Sequence, residues 1–158
     1  MAEILIPEGA FVRANFPFSY PPEARSRPGP YAHIAYCLGS RLHRGQVTEV
    51  ILAYTSSGPW RGVGSRRPLG IIEFDTAEAA RVNQRPFHID LRCLARVPPS
   101  PDWFPDWHAP GHGVVGVAGR ALRERVLRDA ERLAKSSPEI VEIRGVSSPV
   151  RRRPTPPD

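Results

Sequence analysis

Arg27 stands immediately before Pro28 at the entry to an apolar run, in the segment EARSRPGPYAHIAYCLGS, residues 23–40. A charge at the mouth of a strand is awkward for packing and well suited to gripping an anion, because the guanidinium offers a fork of N–H donors that two oxygens can share. Arg25 is the alternate for the same task. Thr55 and Ser56 end the run VTEVILAYTS and precede a glycine-bearing loop, a position from which hydroxyls can donate to an anion held by the arginine. His88 and Asp90 stand two apart in a strand-like run, so both side chains emerge on one face. There an imidazole can pass a proton near neutral pH while the carboxylate orients it. Each group has a plainer alternative: a solvated loop arginine, hydroxyls that bond to local backbone at a strand end, and a polar strand face open to water.

These groups act together only if the chain folds them together. Residues 10–16, 31–38, 47–55, the run LGIIEFD and residues 87–96 carry the alternation or the branched and aromatic content of strands. The strand at 31–38 is apolar on both faces, which predicts a central strand covered on two sides. Asp75 with Glu78 has capping-box spacing and predicts a short helix over TAEAARVN. Leu122, Val126, Ala130 and Leu133 fall on one helical stripe, which predicts a longer helix from Arg120 to Lys135. EIVEIRGV adds a possible edge strand. The order predicts an α+β fold that is mainly β, a small curled sheet or SH3-like barrel closed by a short helix and a C-terminal helix. A single domain is expected over 1–146, and 147–158, with its run RRRPTPPD, reads as a disordered basic tail.

Composition bounds the partners. The chain has 158 residues, 19 prolines gathered in loops, and a formal charge of +6 that favours polyanions. No early run resembles a signal peptide and no window approaches a membrane span, so a cytoplasmic protein with no membrane partner is expected. Cys37 and Cys93 sit in apolar runs without metal or redox spacing and read as buried reduced thiols. GVGSRR lacks the spacing of a phosphate-binding loop, although Arg61, Arg66 and Arg67 suit a path for a polyanion. His108 and His112 with Asp102 and Asp106 are separated by proline and glycine. They read as part of a loop pinned by Trp103, Phe104 and Trp107 rather than as a metal site.

The segments EGAFVRANFPF, RSRPGPYAHIAYCL and VILAYTSS, taken in that order, resemble the opening of the MazF/PemK-type toxins. The likeness covers roughly residues 8–56 well and 86–135 loosely. It implies a metal-independent, cofactor-free endoribonuclease of a toxin–antitoxin pair, acting as a homodimer on single-stranded RNA and controlled by a cognate antitoxin protein. By that resemblance Arg27 grips the scissile phosphate, Thr55 holds a nonbridging oxygen, and His88 acts as acid or base with Asp90 steering it. Arg25, Ser56, Arg61, Arg66 and Arg67 would contact the RNA. The 2′-hydroxyl would attack phosphorus to leave a cyclic phosphate. Two other outcomes stay open: a toxin of the same fold that poisons a topoisomerase by contact alone, and an RNA-binding module without turnover. The extra material at 57–70 and 98–118, and Pro86 and Phe87 where a small polar residue is usual, depart from the family pattern and bear first on base preference.

Overall fold

The computed structural model of the chain describes residues 5–17, 28–29, 31–58, 60, 69–136 and 141–144. Its strands are β1 (Ala10–Ala14), β2 (His33–His43), β3 (Gln46–Ser57), β4 (Ile71–Phe74), β5 (Phe87–Val97), β6 (Val114–Val117) and β7 (Val141–Arg144). Two helices join them, α1 (Thr76–Ala80) and α2 (Arg120–Lys135). Six strands run in the order β4-β5-β3-β2-β1-β6, each antiparallel to its neighbours, and β7 adds to β5 in parallel. The α+β class therefore holds. Among the described residues the path keeps two ends, at β6 and β4, and no pairing joins them into a barrel.

The long β2–β3 hairpin explains why this sheet is built so early in the chain. His43 pairs with Gln46 across a two-residue turn, Arg44 and Gly45, whose φ values are 50° and 77°. A two-residue hairpin loop of this handedness matches the twist of the strands and favours glycine at its second position.

Alternation along each strand then divides the apolar residues between two faces. Ala10, Val12 and Ala14 join Cys37, Leu52 and Val97 in one cluster, while Phe11 joins Tyr36, Ile89 and Leu91 in the other. A strand buried on both faces needs a cover on each. The first cover is the loop after β5, where Trp103 and Phe104 are buried as expected and Trp107 packs beside them. The second is α2, through Val126 and Leu133, with Ala79 of α1. Asp75 caps α1 by accepting from the Glu78 amide at 2.8 Å, and the helix ends at Ala80, shorter than the sequence predicts. Strand β6 was not foreseen; its four residues follow a helical turn at Pro110–Gly113 and carry little alternation.

Cys37 and Cys93 are free thiols, and burial pushes both up to about 12, so neither is ionised at neutral pH. His112 is bonded to the Trp107 carbonyl and Asp106 pairs with Arg13 at 3.3 Å, while three or more metal-ligating side chains do not gather anywhere among the described residues. Glu124 pairs with Arg120 at 2.9 Å, one turn back along α2. No helix among the described residues is long and apolar enough to cross a membrane.

Candidate phosphate-binding site

Register decides which of the chemically interesting residues can meet. Thr55 lies opposite Ile89, Ser56 opposite His88, and His88 opposite Glu73 on β4. Residues directly opposite share a face and successive residues do not, so Ser56, His88 and Glu73 form a row on one face while Thr55 belongs to the other with Ile89 and Ile72. Thr55 and His88, expected to act on one phosphate, are thus separated by the sheet itself.

Their partners fit this separation. The Thr55 hydroxyl donates to the Ile34 carbonyl at 2.5 Å and the residue is buried, so it ties β3 to β2. Ser56 hydrogen-bonds to the Tyr54 phenol, which burial holds above its usual pKa and this bond partly relieves. His88 is buried, not turned to water, and its Nδ1 lies 2.9 Å from the Gly58 carbonyl. A carbonyl only accepts, so Nδ1 carries the proton in that contact. The Gly58 amide in turn donates to Pro86 at 2.8 Å, and Gly58 has φ 74°, a value that favours glycine. His88 therefore clamps the turn that ends β3. Asp90 does not steer it: both carboxylate oxygens accept from the Arg92 guanidinium at 2.9 Å, and Oδ1 also takes the Arg92 amide. A forked pair satisfies the carboxylate more fully than one imidazole N–H can. Strand β5 is also flanked on both sides, by β3 and by β4 and β7, rather than standing at an edge.

What the fold does bring together is a cavity of about 370 Å³ at the end of β3. Its walls are the start of β2 (His33), the end of β3 (Thr55 to Ser57), the turn after α1 (Asn83, Arg85) and the start of β5 (Phe87). His33, Ser57 and Arg85 are exposed, and none of the three has a side-chain hydrogen bond or ion pair among the described residues. The turn that carries Arg85 is held in place. Asn83 takes φ 58° and donates from Nδ2 to the Val115 carbonyl at 2.8 Å, which also covers the outer edge of β6. A cation and an imidazole without partners among the described residues, beside three hydroxyl-bearing residues, make a pocket suited to an oxyanion.

Arg25, Arg27, Arg61, Arg66 and Arg67 lie outside the described residues. Gly29, two positions beyond Arg27 in the sequence, is described, and its amide donates to the Asn15 carbonyl at 3.1 Å. Asn15 follows Ala14, the partner of His33, so this anchor stands beside the cavity wall. His33, Asn83 and Arg85 were not singled out from sequence. Signals existed for two of them: Arg85–Pro86 repeats the dipeptide Arg27–Pro28, and an asparagine such as Asn83 just past a helix end is a common left-handed stop. A larger cavity of about 700 Å³, lined by Ile6, Arg44, Val47, Val50, Pro99 and Trp107, lies at the other end of β3, and among the described residues none of those expected to bind an anion lines it.

Packing behind the Arg85 turn is tight enough to test. A Cβ on Gly116 would stand 2.8 Å from the Val82 carbonyl oxygen and 2.9 Å from its Cα, both backbone atoms. Gly116→Ala is expected to cost about 1–3 kcal/mol of stability, as overpacking does. Thermal unfolding reads the loss, and the Asn83 side-chain amide resonance should shift with it; a wild-type melting curve would show that the turn is free to move. Comparison with protein-family models, with curated proteins and with solved structures finds no match, so the reading of this site rests on its own residues.

Proposed function

We propose that the chain is a metal-independent endoribonuclease of the MazF/PemK type. In this reading it acts in the cytoplasm as a homodimer on single-stranded RNA, under the control of a cognate antitoxin protein, and its sheet corresponds to the SH3-like barrel of those toxins. The observation that carries the reading is the cavity at the end of β3, where Thr55, Ser56 and Ser57 meet Arg85 and His33, neither of which has a side-chain partner among the described residues. Two further facts support it. The net charge of +6 draws a polyanion, and Gly29, two residues beyond Arg27, is bonded to Asn15 beside His33. Arg27 then grips the scissile phosphate. Thr55 gives its proton to Ile34, so it shapes the floor of the site instead of donating to the substrate.

A second reading, an RNA-binding module without turnover, is favoured by one observation: His88 and Asp90, the proton-transfer pair expected from sequence, are committed to Gly58 and Arg92. Both readings meet one experiment. The full chain is incubated with a long single-stranded RNA in excess chelator, and the new ends are mapped. The expected result is cyclic phosphate termini, with Arg27→Ala reducing the rate by about 100-fold or more, the usual loss when a charge-stabilising donor is removed. Retarded but intact RNA selects the binding module, and RNA neither bound nor cut removes both.

A further inference from the structure

A ribonuclease of this kind needs a group to exchange a proton beside the phosphate, and His88 is poorly placed for it. Its ring is buried, Nδ1 is held by the Gly58 carbonyl, and it does not line the cavity. His43 stands at the far end of β2 beside the hairpin turn, and His112 is bonded to the Trp107 carbonyl. His33 differs on every count. It opens β2, is exposed, has no side-chain partner among the described residues, and lines the same cavity as Arg85. Arg85 is the one other ionisable side chain among the described residues that line this cavity.

We infer that His33 is the proton-transfer residue and Arg85 a second phosphate-gripping residue of the site, an assignment that rests on the ribonuclease reading above. The two side chains divide the chemistry by type. A guanidinium stays protonated, so Arg85 holds charge and moves no proton; an imidazole can do both. Neutral His33 takes the 2′-hydroxyl proton as the P–O2′ bond forms. The P–O5′ bond breaks, and the departing 5′-oxygen takes a proton from water at the mouth of the cavity. Imidazolium then returns its proton to solvent, so protons balance and no oxidant or metal enters the step. The substrate class follows from this step: RNA is cut and DNA, which lacks the attacking hydroxyl, is bound at most.

The test uses the full chain with His33→Gln, which keeps size and hydrogen bonding. Cleavage at neutral pH is expected to fall by about 100-fold or more, within the range for a lost general base. Affinity for a 2′-deoxy oligonucleotide should stay within about twofold, because charged contacts to phosphate supply most of it. In the unaltered protein the rate should rise with pH, as general-base catalysis requires, and that rise should be absent from His33→Gln. Arg85→Ala should instead weaken binding of the same oligonucleotide. If His33→Gln cuts RNA as the unaltered protein does, or if the pH-dependent rise is lost in His88→Gln and kept in His33→Gln, the assignment of His33 fails while the ribonuclease reading stands. If the unaltered protein leaves RNA intact, both fall. A second measurement does not depend on the variant folding: the His33 ring resonances of the unaltered protein should move on addition of the 2′-deoxy oligonucleotide, and unmoved resonances overturn the assignment.

Discussion

Trp103→Ala is expected to lower the free energy of unfolding by about 3–5 kcal/mol, the usual cost of emptying a large aromatic site in a core. In a chain of this size that corresponds to a midpoint lower by roughly 10 °C, at about 2–4 °C per kcal/mol. Trp103 is 1% exposed and packs into the cluster of Ala10, Val12, Phe16 and Leu52. It is the largest piece of the loop that covers this face of the sheet. Its backbone matters as well: the Trp103 carbonyl accepts from the Asn15 amide at 2.8 Å, and Asn15 in turn accepts from Gly29. Loosening the loop therefore frees the end of β1 beside His33, and on the ribonuclease reading proposed above RNA cleavage should fall with stability. Trp107→Ala is the control, since Trp107 is only partly buried and should cost less. Chemical denaturation of the two variants measures the difference. Equal and small losses, under about 1 kcal/mol each, would place the loop outside the core and contradict the packing described here.

Residues whose behaviour depends on neighbours in sequence were legible before any coordinates. The α2 stripe, the Asp75 cap and the two-sided pattern at 34–38 each follow from local periodicity or a capping rule, and the structure has them. Trp103 and Phe104 were legible for a different reason: aromatics in a proline-rich loop have few places to go except onto a sheet. The candidate site was legible only in part. Spacing along β5 puts His88 and Asp90 on one face correctly, yet it carries no information about the strand opposite. The register Thr55↔Ile89 is a long-range choice, and it alone decides that Thr55 and His88 part company. The same holds for Asp90, whose carboxylate finds the fork of Arg92 rather than the imidazole. Strand β6 escaped because VVGV is short, pairs among the described residues with β1 alone, and is kept in place by a glycine that lets Val82 approach. His33 looks like an ordinary polar residue in the sequence and Arg85 is marked only by repeating the Arg-Pro dipeptide; their interest comes from having no side-chain partner among the described residues where the fold leaves a cavity.

The face opposite Trp103 supplies the second large effect. Phe11 is fully buried and directs its ring at Tyr36, Phe74 and Phe87, with centroids at 5.2, 6.1 and 5.4 Å and the planes steeply inclined. Edge-on aromatic contacts add about 0.5–1.5 kcal/mol each beyond simple burial. Phe11→Ala is therefore expected to cost about 3–5 kcal/mol, toward the upper end because three ring neighbours lose a partner together. Phe11→Leu should recover most of this, since it restores apolar volume without the ring geometry. The two large losses test the two-faced architecture jointly. Phe11 and Trp103 belong to separate clusters on opposite faces of the sheet, and sites without shared partners add to within about 0.5 kcal/mol. A double variant that costs much less than the sum would mean that one core serves both faces, as in a closed barrel. Function should respond unequally. Phe87 stacks on Phe74 at 4.4 Å and forms a wall of the cavity, so removing Phe11 leaves that wall less firmly held. If the protein is the ribonuclease proposed above, RNA cleavage by Phe11→Ala, measured well below its melting temperature, is expected to fall while Phe11→Leu stays close to the unaltered protein; full activity in Phe11→Ala would show that the cavity is rigid without its aromatic support.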